Sequence, residues 1–206
     1  MTIVAGACAL CVSLCAWRAA CPTVLALRAT GPVWADRHCT SNPAVVTIVV
    51  TLVVVAAAAS GRPELALFAA ATVYFSLVDL DTHSVPVSHA RVAAAMGLAL
   101  LASTARWTDV SPRQMIAAGA ITWITMKSIE VLSRGDLGAG DVTLAPLIGI
   151  HAGTLQWTDA VRALACAFVM AGIAAAVVAL TRRGGRHTHL PLAPFLFAGT
   201  WAVVLR

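Results

Sequence analysis

From Ala44 to Ser60 the chain is an almost unbroken series of Val and Ala, and comparable apolar runs recur to its end with only short polar breaks. No other feature constrains the fold so strongly. Strands of a transmembrane barrel alternate apolar and polar residues, whereas here the apolar residues are continuous, so these runs read as helices. A helix needs about 20 apolar residues to cross a bilayer. Hydrophobic residues make up 60% of the chain and charged ones 11%, against about 45–50% and about 25% in a soluble domain. So little charge cannot cover a water-facing surface, and disordered chains are polar and highly charged. The sequence therefore predicts an all-α polytopic membrane protein.

Apolar segments run over Thr2–Trp17, Ala44–Ser60, Glu64–Leu80, Val87–Thr104, Met115–Leu132, Val142–Trp157, Ala160–Leu180 and Leu190–Leu205, with a weaker one over Ala19–Leu27. This predicts eight spans if the first stretch crosses and seven if it does not. Met1-Thr2-Ile3-Val4 has no basic n-region, so the start does not read as a signal peptide. The net charge of +5 does not point to nucleic acid. The basic residues stand singly between apolar runs, apart from Arg182, Arg183 and Arg186, and no aromatic-interleaved basic patch exists. Nine of them fall on the side holding loops 79–91, 133–141 and 181–189, and five on the other. The positive-inside bias puts the first side in the cytoplasm of a cell-membrane protein. Cys8 and Cys11 form a CxxC pair, but a zinc site needs four converging ligands and no second pair follows. The thiols read as small apolar side chains.

The carboxylates are the informative residues. Of nine, Asp79, Asp81, Glu130, Asp136 and Asp141 lie in or beside two segments of the cytoplasmic face. A charge at membrane depth costs about 3 kcal/mol even on the lenient insertion scale, so acids flanked by apolar residues are functional candidates. Asp79 closes one apolar span and Asp141 opens another, so both sit at one interface on different helices. Two carboxylates brought together do not both ionise easily. Such a pair supplies a base to activate water and an acid to protonate a carbonyl or leaving group. The dipole at the C-terminal end of its helix disfavours charge on Asp79, and the dipole at a helix start favours it on Asp141. This predicts that Asp79 keeps the shared proton. Gly138 and Gly140 remove side chains just before Asp141, so another backbone can approach closely. The plainer alternative is that these acids cap helices and the glycines form an ordinary turn.

Val78-Asp79-Leu80-Asp81-Thr82-His83-Ser84-Val85-Pro86 resembles the first aspartate motif of the type IV prepilin peptidases. Gly138-Ala139-Gly140-Asp141-Val142-Thr143-Leu144 resembles their GxGD motif, and Leu190–Gly199 is similar to their Pro-rich last helix. The order agrees as well: an acid, two helices, GxGD, then three helices. The resemblance covers about residues 64–205. It divides the chain into an N-terminal hydrophobic extension (1–60) and a six-helix catalytic core (61–206). It implies a membrane-embedded aspartic endopeptidase with Asp79 and Asp141 as the catalytic pair and no metal or organic cofactor. It further implies prepilin or pseudopilin precursors as partners, cut at the cytoplasmic face after a Gly that precedes the precursor's apolar helix. Asp81, Pro86, Asp136, Gly138 and Gly140 would support the motifs or bind substrate. The zinc-binding insert of the larger members, linked to N-methylation, has no counterpart here, which implies a peptidase-only form.

Val87 stands where the family usually has Asn or Asp, and Thr143 where it usually has Lys. These departures motivate a second reading, a catalytically degenerate protein that binds precursors. A small proton-coupled transporter is a third, although the paired half-chain repeats of many transporters are missing. His83 is placed to tune Asp79, four residues before it. His151 falls at the far end of its span from the pair, and His187 and His189 read as loop residues. Lys127 and Glu130, spaced i, i+3, suit an ion pair. Trp17, Trp34, Trp107, Trp123, Trp157 and Trp201 mostly fall near span ends, as interface anchors do.

Overall fold

The computed structural model describes residues 65–104, 111–134, 137–154, 156–181 and 190–205. The N-terminal extension and its segments lie outside the described residues. So do Gly61–Glu64 of the core, Asp136, Trp107 and the Arg182–His189 stretch with its basic cluster. The described residues form six helices and no strand: α1 (Ala66–Thr82), α2 (Val87–Thr104), α3 (Pro112–Leu132), α4 (Ala139–Ala152), α5 (Trp157–Leu180) and α6 (Ala193–Val204). Of these, α3 and α5 are long and apolar enough to cross a membrane, while α2 and α6 contain shorter apolar helices.

Several helix ends differ from the limits of the apolar runs, for reasons of capping. α1 continues to Thr82 because His83 takes a left-handed conformation (φ 48°, ψ 36°) and donates its N–H to the Asp79 carbonyl at 2.8 Å, a common way to end a helix. α3 starts three residues before its apolar run, at Pro112, since Pro at a first helical position loses no hydrogen bond. α4 starts at Ala139, with Gly138 at its N-cap, and ends at Ala152. Trp157 therefore opens α5 instead of closing α4. Hydropathy finds the apolar middle of a helix; polar and glycine-rich first turns are invisible to it.

α4 is the centre of the bundle and touches α2, α3, α5 and α6. It buries residues all round, among them Leu144, Leu147, Ile148 and Ile150, as a helix without a polar face must. Its approach to α3 is close enough that only glycine fits at 149. A Cβ there would lie 2.6 Å from the Ala118 carbonyl oxygen and 2.8 Å from Gly119 Cα. Thr122 locks the same seam by donating its hydroxyl to the Ala145 carbonyl at 2.8 Å. Small residues and interhelical hydroxyl bonds are how helices associate where lipid leaves no hydrophobic drive between them.

α1 leans on α6 through a layer of aromatic rings. Phe68 stacks on His151 (centroids 4.5 Å apart) and packs against Phe197 and Trp201, while Phe75 stacks on Phe197. The Trp201 indole N–H donates to Thr72 Oγ1 at 3.1 Å. Trp201 is thus a buried core residue and not an interface anchor. Trp123, at the middle of α3, also departs from the span-end pattern, whereas Trp157 is exposed at the start of α5. Outward faces are apolar: Val92 and Met96 on α2, and Val169, Ile173 and Val177 on α5, are all more than half exposed. Apolar patches of this kind mark surfaces that meet something other than water.

Candidate active site

Asp79 lies in the last turn of α1 and is 4% exposed. A buried carboxylate needs donors, and Asp79 finds its main one on another helix. Its Oδ2 accepts the Ala193 N–H at 2.9 Å, and the Leu192 amide also reaches it more weakly. Ala193 is the first residue of α6, where backbone amides have no acceptor within their own helix. The turn behind Asp79 is braced: the Thr82 hydroxyl donates to the Val78 carbonyl at 2.7 Å, with the Ser84 carbonyl at 3.1 Å.

Asp141 is the third residue of α4. Its N–H and that of Val142 both donate to the Gly138 carbonyl, at 3.0 and 3.3 Å. Its Oδ1 is buried and has no hydrogen-bond partner among the described residues. Buried polar atoms are nearly always satisfied, so an exception asks for a functional explanation. Asp79 is close enough for its charge to act on Asp141. Two acids 62 positions apart in sequence are therefore brought together at one end of the bundle.

Gly140 makes that meeting possible. A Cβ on it would lie 2.7 Å from the Val85 carbonyl oxygen and 2.8 Å from Val85 Cβ. The start of α4 thus nests against the short link between α1 and α2, the same link that ends the Asp79 helix. Gly138 plays a different part, since a Cβ there would meet only Asp141 Oδ2, at 3.2 Å. Pro86, half-buried, ends the link, and its carbonyl accepts the Ala90 N–H at 3.1 Å to start α2.

Most other sequence candidates are separated from the pair. Asp81 is half-buried in the same turn as Asp79, but two residues turn a helix by about 200°, so it faces away from Asp141. Asp136 lies outside the described residues. His83 is joined to Asp79 through its backbone amide, and the charge of its exposed side chain acts on the Asp79 carboxylate, as its spacing suggests. His151 is fully buried at the C-terminal end of α4, its Nδ1 paired with the Leu147 carbonyl at 2.8 Å. Its stacking partner Phe68 lies eleven residues before Asp79 on α1, about 16 Å along the axis. Lys127 and Glu130 form their ion pair on α3. Among the described residues no group of three metal-ligating side chains converges.

The expectation that Asp79 keeps the shared proton counts only each acid's own helix. Asp79 sits at the C-terminal end of α1 and also at the N-terminal end of α6, so two opposite dipoles act on it. The Ala193 amide is the functional group that sequence reasoning missed. Leu192-Ala193-Pro194 does signal a helix start, because Pro favours the first turn. No local pattern says which carboxylate such an amide will meet. In comparisons with known families, curated proteins and solved structures, no family model, curated protein or solved structure matches the chain.

Proposed function

We propose that this chain is a multi-pass membrane aspartic endopeptidase that removes the basic leader of type IV prepilin-like precursors at the cytoplasmic face. The observation that carries the reading is the convergence of Asp79 and Asp141 from two helix ends, one held by an amide and the other with an unpartnered oxygen. The motif order supports the same reading. In the reaction one carboxylate takes a proton from a water held between the two, and the oxygen so activated attacks the scissile carbonyl carbon. The other carboxyl gives its proton to the carbonyl oxygen. Collapse of the tetrahedral intermediate returns a proton to the leaving nitrogen. The Ala193 contact occupies Asp79 Oδ2 and leaves Oδ1 for this exchange.

The test is co-expression with a precursor that carries a Lys/Arg-rich leader before an apolar helix. Leader removal appears as a mobility shift. The reading requires cleavage by the native chain and none by Asp79→Asn or Asp141→Asn present in membranes at native level. Absence of cleavage by the native chain, or cleavage by either variant, overturns it.

A further inference from the structure

The geometry points to the backbone amide of Ala193 as the positioning group of the Asp79 carboxylate, making the start of α6 a working part of the site. The inference rests on the peptidase reading for its kinetic consequence, and on the structure alone for the contact. Amide accounting isolates the donor. Phe195 and Leu196 both send their N–H groups to the Leu192 carbonyl at 3.1 Å. Pro194 has no N–H to give. That leaves the Ala193 N–H as the one first-turn amide of α6 directed out of the helix, toward Asp79 Oδ2 at 2.9 Å. Ala193 is fully buried, so this donor cannot be satisfied by bulk water, and a buried orphan amide is rare.

The contact does more than satisfy a donor. A carboxylate rotates about its χ2 bond in a broad well. Pinning Oδ2 fixes the plane of the group and so the direction in which Oδ1 faces Asp141. Catalysis depends on such placement, since about 1 Å of error costs about 100-fold. The α6 start is itself fixed: Thr72 and Trp201 tie α6 to α1 by a hydrogen bond two turns away, and Phe68 and Phe75 pack on Phe197. Asp79 and its donor therefore belong to one rigid pair of helices.

Replacing Ala193 by its α-hydroxy analogue turns the amide into an ester and removes only the donor. The control is the same exchange at Leu196, which deletes an ordinary helix bond to Leu192 from the same turn. For leader cleavage, the ester at 193 is expected to lower kcat about 10-fold, the Leu192 amide keeping part of the hold, with KM within about twofold. The ester at 196 should leave kcat within about threefold. Ala193→Pro deletes the donor by a second route. A carboxyl infrared band assigned to Asp79 by its loss in Asp79→Asn should shift with the ester at 193 and not with that at 196. Equal kcat for the two esters, or an unmoved band, overturns the inference. A shifted band in a chain that cleaves no precursor leaves the contact standing and removes the peptidase reading alone.

Discussion

Gly140→Ala is the perturbation whose effect the structure defines most sharply. The added methyl would lie 2.7 Å from the Val85 carbonyl oxygen, 2.8 Å from Val85 Cβ and 3.2 Å from Val85 Cα. These are atoms of the backbone or rooted in it, so no side-chain rotation relieves the overlap. Opening it to an ordinary contact of 3.4 Å moves the start of α4 away from the α1–α2 link by about 0.7 Å. Overpacking of this kind costs about 1–3 kcal/mol. The six-helix bundle should absorb that, because the rest of α4 is held by four neighbours. The displaced residue next in sequence is Asp141, and a shift approaching 1 Å between reacting groups costs about 100-fold in rate. The expected result is a chain that inserts at native level, unfolds in detergent a few degrees earlier, and cleaves a prepilin-like precursor about 30- to 100-fold more slowly. Gly138→Ala is the control: its methyl would meet only the movable end of the Asp141 side chain at 3.2 Å. It should lose less activity than Gly140→Ala and almost no stability. Native-rate cleavage by Gly140→Ala refutes the argument that the Val85 contact sets the distance between the acids.

Asp79→Asn and Asp141→Asn should each abolish processing with normal insertion. Asp79→Ala should in addition unfold more easily than Asp79→Asn by about 1–3 kcal/mol, because Asn keeps an oxygen for the Ala193 amide and Ala leaves that amide buried and unpaired; equal unfolding midpoints in detergent contradict this. The Asp81→Asn/Asp136→Asn double variant should raise KM for a basic-leader precursor several-fold at low salt with kcat kept, since exposed ion pairs are worth about 0.2–1 kcal/mol each and weaken with salt. An unchanged KM removes these two acids from leader recognition. Thr122→Val should cost about 0.6 kcal/mol by losing the hydroxyl bond to the Ala145 carbonyl across α3 and α4, read as a lower detergent unfolding midpoint; no change would mean that the Val methyls recover the loss by packing.

What the sequence disclosed and what it withheld divide along a physical line. Continuous apolar runs announce helices because a chain so poor in charge has no other way to satisfy its backbone away from water. That logic carried all six described helices. It placed both ends of α2 and missed several others by up to five residues, since Pro112, Gly138 and the left-handed His83 act through backbone geometry and not through hydropathy. The acids were legible for a related reason: a carboxylate beside an apolar run is costly, so its presence is itself information. Glycine was half legible. Gly138 and Gly140 look equivalent in Gly-Ala-Gly-Asp, yet only Gly140 meets a foreign backbone at less than 3 Å.

The proton assignment shows where one-dimensional reasoning stops. A helix dipole can be read from sequence for the helix that carries a residue. The field of a second helix, arriving from 114 positions away at Ala193, cannot. The same limit applies to Trp201. Its position near the end of its apolar run suggests an interfacial ring, whereas its indole N–H is claimed by Thr72 of α1 and its ring packs against Phe68. Both cases involve α6, the helix that closes the bundle over α1. It packs on three helices, α1, α4 and α5. The site therefore depends on a closing contact made by the last helix described. Truncating the chain before Pro191 should leave Asp79 and Asp141 in place in sequence yet remove the donor, the aromatic layer and with them the fixed geometry. Such a chain is expected to insert and to cleave no precursor; cleavage by it would mean that the pair orients itself without α6.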